Sequence, residues 1–204
     1  MKNISVLLFL LITLALNAQN NKTSGLNARQ FHKYWTVESE SPDYKVTFLG
    51  DTVEILSPKG LTLWRKEKMS GKVTIEYDAC VVVEVEGDRL SDLNCFWMAS
   101  DPQYPDNIWK REKWRSGIFL NCYSLQLYYM GYGGNHNSTT RFRRYDGNEA
   151  AITNAKARPA ILKEYTDADH LLEANKWYHI KITNENNRVS YYINGVRLVD
   201  FRDA

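Results

Sequence analysis

From Lys72 to Ala79 the chain alternates without a break. Val73, Ile75, Tyr77 and Ala79 fall between Lys72, Thr74, Glu76 and Asp78. A period of two belongs to a strand with one buried face and one face toward water or a ligand. No helix has it, and it sets the class of fold. Segments of the same kind recur. The runs 44–49 and 52–56 meet at Gly50-Asp51, a two-residue hairpin signal. Residues 61–65 follow the turn cluster Pro58-Lys59-Gly60. Residues 93–100, "LNCFWMAS", are apolar on both parities, as a central strand is. Residues 117–129 predict two strands meeting near 121–124. Residues 139–145 alternate again, with Arg141, Arg143 and Tyr145 on one face and Phe142 and Arg144 on the other. The runs 177–183, 189–193 and 196–201 close the chain. Asn194-Gly195 between the last two signals a type I′ hairpin. Residues 101–113, with Pro102 and Pro105, read as a long loop. A strand over 161–165 and a short helical turn over 166–172 fill the weakest part of the pattern. Many short strands with almost no helical period predict an all-β chain, a two-sheet antiparallel β-sandwich.

The N-terminus has a pattern of its own. Lys2, the apolar run 6–16 and the small residue Ala18 form a signal-peptide pattern over residues 1–18. A buried N-terminal helix is the alternative. Residues 19–33 then form a leader and 34–204 the folded domain. The apolar run is short for a membrane span, and no cysteine follows it to carry a lipid. A periplasmic or extracellular protein without a membrane span, working as a monomer, is the expectation. A net charge of +2 gives no electrostatic footprint for nucleic acid. Cys80, Cys95 and Cys122 allow one disulfide in an oxidising compartment. Buried free thiols are the preferred reading, and their spacing matches no zinc motif.

The run "YYMGYGGNHNSTTRFRRYDG", residues 128–147, is poor core material. It gathers aromatics, glycines, one histidine, amides, hydroxyls and arginines, a mixture suited to gripping a polar ligand.

The C-terminal text "KWYHIKITNENNRVSYYINGVRLVDF" resembles the closing hairpin of the concanavalin A-like lectin/glucanase superfamily. "RSGIFL", residues 115–120, resembles the Ser-Gly-Ile strand of jelly rolls often labelled keto-disaccharide hydrolases. "LNCFWMASDP" together with the 128–147 run resembles YesU-like secreted jelly-roll proteins of bacterial polysaccharide-utilisation systems. The likeness spans roughly residues 35–201. It implies a jelly-roll sandwich and a carbohydrate partner, polysaccharide or oligosaccharide. Two departures stand out. The Glu-x-Asp-x-x-Glu run of retaining glucanases is missing. Such sandwiches also carry one more strand after this hairpin, so the expectation is a jelly roll lacking its last strand.

Jelly-roll polysaccharide lyases supply another template. They remove the proton beside a uronate carboxylate and expel the glycosidic oxygen by β-elimination. That needs a group to neutralise the carboxylate, a base and an acid. Arg141 and Arg143 are candidates for gripping the carboxylate, His136 for the base, and Tyr132 or Tyr145 for the acid. Asn135, Asn137, Asn94 and Asn121 are candidates for binding the sugar, and Trp109 and Trp114 for stacking on it. Each has a plainer reading. His136 is then a surface residue, Arg141 and Arg143 pair with Glu76, Asp78 or Glu84, and the glycines make a turn. Trp97 reads as core. Cleavage of an acidic polysaccharide by elimination is the first expectation. Hydrolysis on the same fold and binding without chemistry are the alternatives. No cofactor is required. A structural calcium ion on Asp101, Asp106 or Asp146 is an open option.

Overall fold

The computed structural model describes residues 6–11 and 28–203. The elements are β1 (Val6–Leu11), helix α1 (Ala28–Tyr34), β2 (Trp35–Ser39), β3 (Lys45–Leu49), β4 (Thr52–Ser57), β5 (Leu61–Arg65), β6 (Val73–Val82) and β7 (Leu93–Ser100). After helix α2 (Glu112–Arg115) follow β8 (Gln126–Gly133), β9 (Thr139–Asp146), β10 (Lys163–Tyr165), β11 (Trp177–Glu185), β12 (Arg188–Ile193) and β13 (Val196–Arg202). Seven strands form one sheet in the order β13-β12-β11-β6-β1-β4-β3, and four form a second, β10-β9-β8-β7. β2 and β5 pair as a separate ribbon. All named pairings are antiparallel. The expected two-sheet antiparallel sandwich is the fold.

The alternation that opened the sequence does what its period requires. Tyr77, Ala79 and Val81 of β6 are buried with Tyr178, Ile180 and Ile182 of β11. Their neighbours face out and pair across the strands: Lys181 Nζ lies 2.6 Å from Glu76, and His179 Nδ1 lies 2.9 Å from Asp78. From the second sheet Leu93, Trp97, Met130, Tyr132 and Phe142 complete this core. Trp97 is core, as read from the sequence, at 4% exposure and stacked on Phe142 and Tyr191 with centroids 6.1 Å away. The closing hairpin turns on Asn194 and Gly195, both with positive φ, as a type I′ turn needs.

Four expectations change. Residues 117–129 are not two strands: Phe119–Ser124 is a 3-10 helix, and only β8 is extended. The "RSGIFL" segment is a turn, with Ser116 at φ 39° and Gly117 at φ 73°. A Cβ on Gly117 would lie 2.6 Å from the Glu38 carbonyl oxygen, so backbone packs where a side chain would go. Residues 93–100 form an edge strand of their sheet, not a central one. The strand is apolar on both parities because a second cluster covers its other face, described below. Residues 28–34, expected as leader, are helical, and Phe31 is buried in the main core.

The apolar run assigned to a signal peptide contributes β1, which sits between β4 and β6 and pairs with both. The rest of that segment, 1–5 and 12–18, lies outside the described residues. None of the described helices is long and apolar enough to cross a membrane.

Candidate functional site

The four-stranded sheet has one face on the main core. Its other face carries the odd residues of β8 and β9 and the even residues of β7. Register fixes the rows. Asn94, Gly131, Arg141 and Glu164 stand opposite one another on β7, β8, β9 and β10. The next row is Phe96, Tyr129 and Arg143, and the next holds Leu127 and Tyr145. Neighbouring strands bring such residues within about 5 Å in backbone spacing.

One end of this face is roofed. The 3-10 helix and the loop before it lay Cys122, Tyr123, Phe119 and Trp109 on Phe96, Leu127, Tyr129 and Tyr145. Tyr123 and Tyr145 are 4.8 Å apart between centroids. The roof is pinned to β2 by a fully buried ion pair. Arg115 Nη2 donates to Glu38 Oε1 at 2.6 Å, its Nε reaches both carboxylate oxygens at 3.2 Å, and its Nη1 holds the Ile108 carbonyl at 2.8 Å. A second pin holds the loop start: Arg111 binds Asp101 through two bonds of 2.7 and 2.8 Å and also pairs with Glu149.

The other end borders a cleft of about 1310 Å³ that also reaches β5 and β6. Its floor centres on Tyr129. The phenol leans along its own strand over Gly131, so closely that a Cβ on Gly131 would lie 2.0 Å from its hydroxyl oxygen. The hydroxyl thereby occupies the place of a side chain at 131 and donates to Asn94 Oδ1 at 3.0 Å. Burial first, then Asp92 and Tyr123, push its ionisation above the ordinary tyrosine value, while Arg143 and Arg141 pull weakly the other way. The floor therefore presents an amide, a protonated hydroxyl and a guanidinium in one row. Arg141 Nε pairs with Glu164 at 2.5 Å, and Arg89 pairs with Asp92. Arg143 bonds the Pro159 carbonyl and Arg158 lies over the Tyr123 ring at 5.7 Å. Among the described residues neither of these two is ion-paired with a carboxylate. The cleft wall thus carries excess positive charge.

The residues nominated from the sequence divide. Arg141, Arg143, Asn94, Asn135, Trp109 and Tyr145 all line the cleft. Tyr145 shares the arginines' face as alternation required, but it is sealed under the roof at 1% exposure, its hydroxyl without a hydrogen bond. Tyr132 points the other way, into the main core, and donates to the Leu171 carbonyl at 3.0 Å. Even parity on β8 puts it there. His136 is exposed on a tight turn in which Asn135, His136 and Asn137 all have positive φ, 53°, 58° and 56°. Asn137 serves that turn: its amide bonds both the N–H and the C=O of Leu172 at 2.8 and 2.9 Å. Asn121 donates to the Trp114 carbonyl at 3.1 Å. Trp114 lies outside the cleft, with Arg111 5.0 Å above its ring. Arg141 and Arg143 do not pair with Glu76, Asp78 or Glu84. The acidic pair of β6 is on the far sheet's outer face.

Tyr129 and Arg158 are not among the residues nominated from the sequence, and Gly131 reads there as letting the backbone approach a sugar rather than as making room for a phenol. The signal for Tyr129 was present: it shares its β8 face with Leu127 and Gly131, and only a glycine two residues on lets a tyrosine lie flat. Asp101, nominated for calcium, is fully buried and satisfied by Arg111. Among the described residues no group of three or more His, Cys, Asp and Glu side chains is gathered to hold a metal.

The model of a family described as Domain of unknown function (DUF6250) matches residues 55–204. The chain belongs to DUF6250. No curated protein matches it. A protein of unknown function with galectin-like fold from Bacillus subtilis has a crystal structure similar to this DUF6250 chain. The likeness covers 84% of this chain and 74% of that one, at 13% identity and a TM-score of 0.50. It shows the fold. The carbohydrate-binding module CBM66 from Bacillus subtilis overlaps 83% of this chain and 80% of its own, at 13% identity and a TM-score of 0.39, too distant to argue from.

Proposed function

We propose that this DUF6250 chain is an exported protein that binds a polysaccharide or oligosaccharide along the cleft, with uronate-containing glycans as its preferred ligands. One observation carries the reading. Asn94, the Tyr129 hydroxyl and Arg141 form a polar row on the floor of a large cleft, and Arg143 and Arg158 add charge that is ion-paired with no carboxylate among the described residues. Aromatic walls from Phe96, Phe119 and Trp109 offer apolar surface to sugar rings. Export rests on the N-terminal pattern of residues 1–18.

Elimination chemistry is the second reading, favoured by Tyr129: a phenol kept protonated beside two arginines is a fitting proton donor for a leaving oxygen. The base has no comparable candidate, since His136 sits on the exposed turn. Binding is therefore placed ahead of cleavage, and cleavage by elimination ahead of hydrolysis. Calorimetry of the full chain against a panel of uronate and neutral glycans tests the proposal. Micromolar to millimolar binding to uronate members is expected, and no binding anywhere in the panel rejects the proposal. The ultraviolet absorbance of unsaturated sugar ends, followed over the same incubations, tests elimination separately.

A further inference from the structure

The floor row has a chemistry narrower than sugar binding in general. Tyr129 gives its proton to Asn94 Oδ1, which turns the amide nitrogen of Asn94 away from that bond. That nitrogen makes no hydrogen bond within the described protein, so its two N–H groups are free donors. On the other side of the hydroxyl stands Arg141, whose Nε is held by Glu164 at 2.5 Å. Its two terminal nitrogens carry further donors. The hydroxyl between them can redirect its own proton from the amide to an incoming acceptor. The row is thus rich in donors, and such a row matches an ionised acid better than a neutral hydroxyl.

The charges around it agree. Two carboxylates stand near, Asp92 and Glu164, and each is already ion-paired, with Arg89 and Arg141. Arg143, across the ladder from Tyr129, bonds the Pro159 carbonyl and is ion-paired with no carboxylate among the described residues. Among the described residues of the row itself, an anion meets no unpaired like charge.

We infer that Asn94, Tyr129 and Arg141 form a carboxylate subsite that seats the free acid of a uronate residue and discriminates against its ester and its reduced alcohol. The subsite depends on Gly131, because any side chain there would displace the phenol. The inference rests on the cleft being a saccharide site. It goes further in assigning one atom group of the ligand to one row of the protein.

The test is calorimetry of the full chain with three probes: trigalacturonate, its methyl ester and its carboxyl-reduced counterpart. The free acid is expected to bind at least about tenfold more tightly than either neutral trimer, the scale of a hydrogen bond to a charged group. Tyr129→Phe removes one oxygen and leaves the ring. Arg141→Gln removes the charge. Each is expected to weaken the acid by roughly tenfold and to leave the reduced trimer unchanged. Should Arg141→Gln melt early, Tyr129→Phe alone decides. If the reduced trimer binds as well as the acid and Tyr129→Phe changes neither, the subsite is wrong while the cleft stands as a saccharide site. If none of the trimers binds, the cleft reading falls and takes the subsite with it.

Discussion

The roof over the cleft depends on a charge pair that water does not reach. Arg115 and Glu38 have side chains 0% and 1% exposed, and three nitrogen–oxygen contacts of 2.6 to 3.2 Å join them. Arg115→Met keeps an unbranched apolar stem, ends short of the guanidinium and deletes the charge. It leaves a carboxylate in the dark and the Ile108 carbonyl without its bond. Breaking such a pair costs about 3–5 kcal/mol. At about 2–4 °C per kcal/mol for a chain of this size, the melting temperature falls by about 6–20 °C. Replacing both residues, Glu38→Met with Arg115→Met, removes the stranded charge. Most of the loss returns, because desolvation is what the pair struggles against. The pH dependence has a defined sign. Burial already raises the Glu38 pKa above the ordinary carboxylate value, against the pull of Arg115. Without Arg115 it rises further. The folded variant then keeps a proton that the unfolded chain gives up at about pH 4. Its stability is greatest below that value and declines as pH rises toward and through the folded pKa. Thermal melts of wild type, both single variants and the double variant from pH 4 to 8 read all of this. A double variant as unstable as Arg115→Met, or a single-variant deficit that does not grow with pH, would refute the reasoning.

Other perturbations follow from the same geometry. Gly131→Ala puts a methyl group 2.0 Å from the Tyr129 hydroxyl and should weaken uronate binding by about tenfold or more, read by calorimetry, on the scale of a lost charged hydrogen bond. His136→Gly relieves a left-handed residue on an exposed turn and should raise stability by about 1 kcal/mol with saccharide affinity intact; a loss of affinity in calorimetry would return His136 to the site. The thiols of Cys95 and Cys122, pushed up to about 11 and about 12 by burial, should resist Ellman's reagent at pH 8 in the native protein and react once it is unfolded. Residues 1–18, which the export reading assigns to a removed signal peptide, also supply β1 between β4 and β6; on that reading the 19–204 chain should be folded and monomeric in sedimentation runs, and self-association through the bared edges of β4 and β6 would overturn it.

The sandwich was legible because its strands obey local rules. β6, β11 and the Asn194-Gly195 hairpin combine strict alternation with turn residues that tolerate positive φ, and these signals need no knowledge of distant contacts. The roof did not obey them. Phe119, Cys122 and Tyr123 are as apolar as strand residues, yet they cover the cleft-side face from a 3-10 helix. What put them there is Arg115 reaching Glu38, 77 residues away in sequence. Periodicity carries no trace of such a contact. The two-sided apolarity of β7 misled for the same reason. It suits a central strand between neighbours, yet β7 is an edge strand between two clusters.

At the site, parity was the reliable guide and residue type the unreliable one. Alternation placed Arg141, Arg143 and Tyr145 on one face, and they are on it. The choice of Tyr132 ignored the same rule, because β8 alternates too. Once Arg141 faces the cleft, its ladder partner Gly131 faces the cleft, and Tyr129 with it, while Tyr132 must face the core. The tyrosine two residues before a glycine was therefore the one to choose. His136 stands out as the single histidine in a polar run. A left-handed Asn-His-Asn turn is a sufficient reason for that run, since asparagine and histidine are among the residues that tolerate positive φ best. Asn137 spends its whole amide on Leu172 to hold the turn. The polar character of 128–147 thus has two separate causes: a turn that needs left-handed residues, and a strand face that needs donors. Only the second bears on a ligand.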